Sequence, residues 1–115
     1  MDQDVKELLD TVVELLVSQS PHRARIEINC WFEKWHDADN LAFYEEAMTA
    51  ILQEEPYREK ILQEAILGKA VLRCTLRHRK NIPSWGTFRQ EFFEEMCRLH
   101  DREFAEVLLS IIPLA

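Results

Sequence analysis

The chain has 115 residues, of which 47% are hydrophobic and 30% are charged. This length suits one domain, and the apolar fraction is too high for an ordinary disordered chain. The formal net charge of −7 repels nucleic acid at long range and argues against a general DNA- or RNA-binding protein. The three cysteines form no close pair, and the sequence contains neither a signal-peptide pattern nor ~20 consecutive apolar residues. We therefore expect a cytoplasmic or nuclear protein without membrane contact.

The first half of the chain predicts three amphipathic helices. Only two glycines and four prolines occur in the whole sequence, which favours helix. Apolar residues recur at helical spacing over 4–17, 22–36 and 41–54. Ser20 is expected to cap the second of these helices, with Pro21 in its first turn. The segment 1–19 either belongs to the core or forms an N-terminal arm.

The second half predicts one long helix over 57–79, which Pro56 starts. Gly68 lies inside it, where glycine costs ~1 kcal/mol relative to alanine, so we expect a bend or a close helix contact there. The apolar stripe of this helix contains Ile61, Leu62, Ala65, Ile66, Ala70, Leu72 and Leu76.

A further helix is predicted from Ser84, its expected cap, to about residue 99. Trp85, Phe88 and Phe92 should form one buried stripe along it, and Gly86 should let the chain pass close to a neighbour. Asp101 is expected to cap a last helix that ends at Pro113, with an inward stripe of Phe104, Val107, Leu108 and Ile111. The pattern as a whole indicates a single all-α domain over 1–115, built as a compact bundle of five to six helices.

No catalytic or cofactor-binding motif is visible. Two isolated glycines cannot build a nucleophile elbow, a phosphate loop or a dinucleotide-binding turn, so we predict a protein that is not an enzyme and binds no cofactor. The pairs Cys74/His78 and Cys97/His100 have a spacing that suits zinc ligands on helices. A helical hairpin around Asn81 would, however, offset the pairs by more than ~10 Å along its axis, so we predict no metal site.

Two groups of residues are candidate partner contacts. The segment WFEKW places Trp31, Phe32 and Trp35 at helical spacing, which favours either core packing or a hydrophobic groove for a partner helix or peptide. The other group is the one concentrated cluster of positive charge in the sequence. It suits a phosphate or an acidic protein surface, or else it complements a helix dipole and nearby carboxylates. Its members are Arg73, Arg77, His78, Arg79 and Lys80, and the four Arg and Lys residues among them are the candidate contacts.

Residues 61–99 resemble the capsid region of Ty3/gypsy-type retrotransposon Gag polyproteins, including Arc-like capsid lobes. The shared pattern is a Leu-Gly-x-Ala step in a long helix, a short polar connection, and a Trp followed by two Phe residues. These are Leu67, Gly68, Ala70, Trp85, Phe88 and Phe92. The resemblance implies a helical assembly domain that self-associates or receives a short peptide in a hydrophobic groove, without catalysis.

The alternative is a helical adaptor or regulator of the death-fold or Bcl-2-like type that binds a partner helix. Trp85-Gly86 is similar to part of the Asn-Trp-Gly motif of the Bcl-2 family. Under either interpretation the expected partner is a protein or peptide, which for the Gag-like interpretation includes a second copy of the chain.

Overall fold

Seven α-helices and a short 3₁₀ helix follow one another within residues 2–110, the part of the chain that the computed structural model describes. This part contains no strand, which confirms the all-α class, although the helices outnumber the expected five or six. Ile111 and Pro113, assigned above to the last helix and its end, lie outside the described residues. The helices are α1 (Gln3–Val17), α2 (Pro21–Asp37), α3 (Leu41–Gln53), α4 (Tyr57–Leu62), α5 (Ala65–Leu76), the 3₁₀ helix (Arg79–Asn81), α6 (Trp85–Leu99) and α7 (Arg102–Leu109).

The prediction of one long helix over 57–79 is wrong, because the chain breaks between α4 and α5. Glu64 adopts an extended backbone conformation and starts α5, so the break lies four residues before Gly68. The break also changes the phase of the apolar stripe. Leu62 and Leu67 are fully buried on either side of it, whereas Ala65, predicted to face inward, is exposed. The reason is tertiary: α4 packs on α1, α3 and α6, whereas α5 packs mainly on α2.

The core lies between these packed helices. α1 contacts α2, α3 and α4, and the side chains on its inward face are fully buried. α6 packs on α7 and also touches α3 and α4. The radius of gyration of 13.1 Å is close to the ~13 Å expected for a folded domain of this length. None of the helices in residues 2–110 combines the length and the apolar character needed to cross a membrane.

Two aspartates, and neither of the predicted serines, cap helices with their side chains. The carboxylate of Asp2 accepts from the backbone N–H of Asp4 at 2.9 Å, and that of Asp101 accepts from the N–H of Phe104 at 2.6 Å. The Asp101 cap is therefore confirmed. Ser20 and Ser84 occupy the predicted N-cap positions, but neither side chain makes a capping hydrogen bond. The Ser84 hydroxyl instead contacts the Glu45 carboxylate, at 3.3 Å.

The aromatic stripe of α6 lies in the core. Trp85, Phe88 and Phe92 are all buried, and Gly68 of α5 faces this stripe. The prediction for the second glycine is wrong. A Cβ at Gly86 would meet no atom within 4 Å, so no neighbour passes close to it.

Candidate functional site

The packing of α2 on α5 brings together the two groups that the sequence left separate. Glu33, within the WFEKW segment, forms a salt bridge with Arg77 of the basic cluster, with 3.8 Å between Oε2 and Nη1. Both side chains are mostly exposed, so water screens this pair and its contribution to stability is small. The aromatic segment and the basic cluster thus border one continuous surface.

The three aromatic rings of WFEKW divide between core and surface. Phe32 and Trp35 are 1% and 2% exposed, and Phe32 packs edge-to-face on Tyr44 with 4.9 Å between ring centroids. Trp31 is half-buried, donates from Nε1 to Glu27 at 3.2 Å and lies beneath the Lys34 ammonium at 4.5 Å. Of these rings, Trp31 alone is placed where a partner could touch it. Contact of Trp31 with a partner stays a prediction, whereas the burial of Phe32 and Trp35 agrees with the core-packing alternative.

The basic cluster is partly used by the fold. Arg73, Arg77 and Lys80 are exposed. Arg79 is half-buried and donates from Nη1 to the carbonyl of Leu76, the last residue of α5, at 3.1 Å. This contact satisfies a terminal carbonyl of α5 and places a positive charge where it complements the helix dipole, which is the second of the two roles expected for the cluster. The exposed members remain accessible to a ligand.

A cleft of about 140 Å³ opens between α2, α3 and the C-terminal end of α5. The imidazole rings of His36 and His78 stack in it with 4.2 Å between centroids, and Tyr44 packs against His78 at 5.3 Å. No local pattern signals this meeting, because His36 lies in the last turn of α2, His78 follows the end of α5, and only tertiary packing joins them. We call it the histidine cleft, and its lining is Asn29, Phe32, Glu33, His36, Tyr44, Cys74, Arg77 and His78.

Burial controls the titration of the groups in the histidine cleft. It raises the pKa of Tyr44 to about 12, and the hydroxyl donates to the Phe32 carbonyl at 2.8 Å. Burial likewise raises the pKa of the Cys74 thiol to about 11, and the thiol contacts Asn29 Oδ1 at 3.3 Å. Cys74 is therefore protonated at neutral pH and is a poor nucleophile. The pKa of His78 is lowered, first by burial and then by the positive charges of His36 and Arg77.

One residue of each Cys/His pair considered for zinc contacts a different partner. Cys74 contacts Asn29, and the Nε2 atom of His100 lies 3.0 Å from the Leu62 carbonyl. Over residues 2–110, no group of three or more His, Cys, Asp and Glu side chains is arranged to hold a metal ion.

A second concave surface, which we call the apolar groove, lies between the N-terminal part of α5 and one side of α7. Its volume is about 340 Å³, within the range of small-molecule and peptide side-chain pockets. Val107 was predicted to face inward but is 64% exposed at the edge of the groove, while its neighbour Leu108 is buried. The residues that line the apolar groove are Ala65, Ile66, Lys69, Phe104, Val107 and Leu108.

Comparison with protein families, with curated proteins and with solved structures finds no match to this chain. Its function must therefore be inferred from its own surfaces. The apolar groove offers hydrophobic contact area, and the histidine cleft offers polar and cationic groups. These two surfaces therefore differ in the chemistry of the ligands that they suit.

Proposed function

We propose that the chain is a non-enzymatic protein-interaction domain, of the Gag capsid-lobe type that residues 61–99 resemble, and that it binds a short apolar peptide segment in the apolar groove. The observation that carries the proposal is the exposure of Val107 beside Ile66 and Phe104 in a concave surface. Apolar side chains gathered in a concave surface are typical of contact sites for partners. The volume of about 340 Å³ suits one or two large side chains of a peptide.

The charge of the lining favours one kind of peptide. Lys69 is the single charged residue among the six that line the groove. The ammonium group of Lys69 is exposed, so it can pair with a carboxylate that lies next to the apolar anchor of a peptide. The surface as a whole is acidic, with a net charge of −7, so two copies of the chain repel each other at long range. A peptide partner is therefore favoured over a second copy.

The test compares two exposed valines. Val107→Glu places a charge in the apolar groove, and Val17→Glu is the matched control, because Val17 is 70% exposed and does not line the groove. Peptides selected from a random display library on the wild-type chain are titrated against both variants. Burying a valine is worth ~1.5 kcal/mol or more, so Val107→Glu should weaken binding by roughly tenfold or more. Val17→Glu should bind as the wild type does.

Three results would contradict the proposal. Selection could enrich no peptide, or Val107→Glu could leave the affinity unchanged. Light scattering over a concentration series could instead show a dimer that Val107→Glu abolishes, which would assign the groove to self-association. Enriched peptides with apolar residues at i, i+3, i+4 and i+7 would favour the alternative, an adaptor that takes a partner helix.

A further inference from the structure

The histidine cleft gathers groups that can donate hydrogen bonds to an anion. His36 and His78 lie in ring contact, and Arg77, with its exposed guanidinium, borders the same cleft. Asn29 accepts from the Cys74 thiol through Oδ1, so its amide nitrogen is the end that can donate to a ligand. These donors come from both α2 and the end of α5, and so converge on one concave surface.

The acceptors at the same place are few and already engaged. The Phe32 carbonyl already accepts a hydrogen bond from the Tyr44 hydroxyl. Glu33 is the one carboxylate of the lining, and it pairs with Arg77. Burial is the main cause that lowers the pKa of His78, and repulsion from the positive charges of His36 and Arg77 lowers it further. An anion would relieve this repulsion.

We propose that the histidine cleft binds a small oxyanion, held by the imidazoles of His36 and His78 and by the guanidinium of Arg77. The ligand is either a free anion of the sulfate or phosphate type or the carboxylate of an acidic side chain, because both present oxygens to the same donors. The histidine cleft, with a volume of about 140 Å³, is large enough for a group of this size. The site is separate from the apolar groove, and it does not depend on the function proposed for that groove.

Binding should depend on pH, because the anion favours the charged imidazoles. Affinity is expected to increase as the pH falls below about 6.5, the ordinary histidine value, because burial and neighbouring positive charge lower the pKa of His78 from that value. Tyr44 and Cys74 stay protonated there, since burial raises both of their pKa values. The other charged groups that face the site are Glu33 and Asp37 of α2 and Arg77 at the end of α5, and Glu33 competes with the anion for Arg77.

The first test is an NMR titration of the histidine rings of the wild-type chain between about pH 5 and pH 8. Sodium sulfate is compared with sodium chloride at equal ionic strength, because sulfate itself does not titrate in this range. Sulfate should raise the pKa of His78 by about half a unit or more. His22, exposed at the start of α2, is the internal control. The proposal is overturned if sulfate moves His36 and His78 no more than His22.

The second test uses variants at exposed positions, which are expected to fold. Arg77→Gln and His36→Gln should each reduce the affinity for sulfate at about pH 6 by severalfold, whereas His22→Gln should not change it. Equal affinity in all three variants would show that sulfate binds elsewhere and would overturn the proposal. Acetate and a short glutamate-rich peptide are then titrated in place of sulfate. Tighter binding of the peptide assigns the site to an acidic partner, and tighter binding of sulfate assigns it to a free anion.

Discussion

Gly68 lies where α5 meets α6, and its replacement by alanine tests that contact directly. A Cβ at this position would lie 2.9 Å from Met96 Cε, 3.6 Å from Met96 Sδ and 3.7 Å from Phe92 Cζ. Alanine is favoured over glycine in a helix by ~1 kcal/mol. Against this, the terminal methyl of Met96 must move aside, which a flexible thioether chain can do at a cost of roughly 0.5–1.5 kcal/mol. We expect the free energy of unfolding of Gly68→Ala to lie within about 0.5 kcal/mol of the wild-type value.

The second glycine supplies the matched control. Gly86 is exposed in the first turn of α6, and a Cβ there meets nothing within 4 Å. Gly86→Ala should therefore stabilise the protein by up to ~1 kcal/mol without an opposing contact. Urea denaturation followed by circular dichroism gives both values. Gly68→Val, which adds branched bulk towards Phe92 and Met96, should destabilise by about 1–3 kcal/mol through overpacking.

Two outcomes would refute this reasoning. If Gly68→Ala stabilises as much as Gly86→Ala, Met96 does not limit the space at Gly68. If Gly68→Ala loses more than about 2 kcal/mol, the terminal methyl of Met96 is held in place and cannot move as assumed. A double-mutant cycle with Met96→Leu, which lacks Cε, identifies the partner. In that background Gly68→Ala should recover most of the ~1 kcal/mol gain, and an unchanged effect would show that Met96 is not the obstacle.

Two further substitutions probe the core and its link to α1. Tyr57 donates to the Asp10 carboxylate, and the pKa of Asp10 is lowered, first by its hydrogen bond to Lys6 and then by this one. A carboxylate whose pKa is lowered in the folded state stabilises the protein at pH values above its ordinary pKa near 3.9. This stabilisation disappears as the pH falls through the folded-state pKa. Tyr57→Phe should therefore cost about 1 kcal/mol at neutral pH and less below about pH 4. Chemical denaturation at several pH values measures this, and a loss that stays constant with pH would contradict it. Trp85 is buried and its Nε1 has no hydrogen-bond partner, so Trp85→Ala should cost ~3–5 kcal/mol, whereas Trp85→Phe should cost less than about 1.5 kcal/mol. An alanine variant with an unchanged melting temperature would place the indole on a surface instead.

Local pattern alone was sufficient for the features that depend on neighbouring residues. The helical period along α6 identified Trp85, Phe88 and Phe92 as one stripe, and all three are buried. Asp101 was recognised as a cap because its carboxylate needs only the N–H groups of the next turn. Such features require no knowledge of which helices pack together.

The break between α4 and α5 could not be read from its own residues. Gln63 and Glu64 are good helix formers, and the segment around them has the composition of one continuous helix. The break is set by the two halves packing on different helices, a tertiary effect that overrides local propensity. The same limitation applies to Val107. The helical period predicts that it faces inward together with Leu108, but the period does not indicate that α5 leaves one side of α7 uncovered.

The histidine cleft depends even more strongly on long-range packing. His36 lies in the last turn of α2 and His78 lies two residues after α5, so each position is consistent with an ordinary histidine near a helix end. The meeting of these rings follows from the packing of α2 on α5, which no local pattern encodes. The sequence did identify Arg77 as a candidate contact, since unusual charge is visible without a fold.

The different surroundings of the three tryptophans have an optical consequence. Trp35 and Trp85 are buried with no hydrogen-bond partner for Nε1, whereas Trp31 is half-buried at the surface and bonded to Glu27. A water-soluble collisional quencher should therefore reach Trp31 readily in the folded protein and the other two indoles poorly. The chain thus carries its own fluorescent reporters, one for events at the outer face of α2 and two for the integrity of the interior.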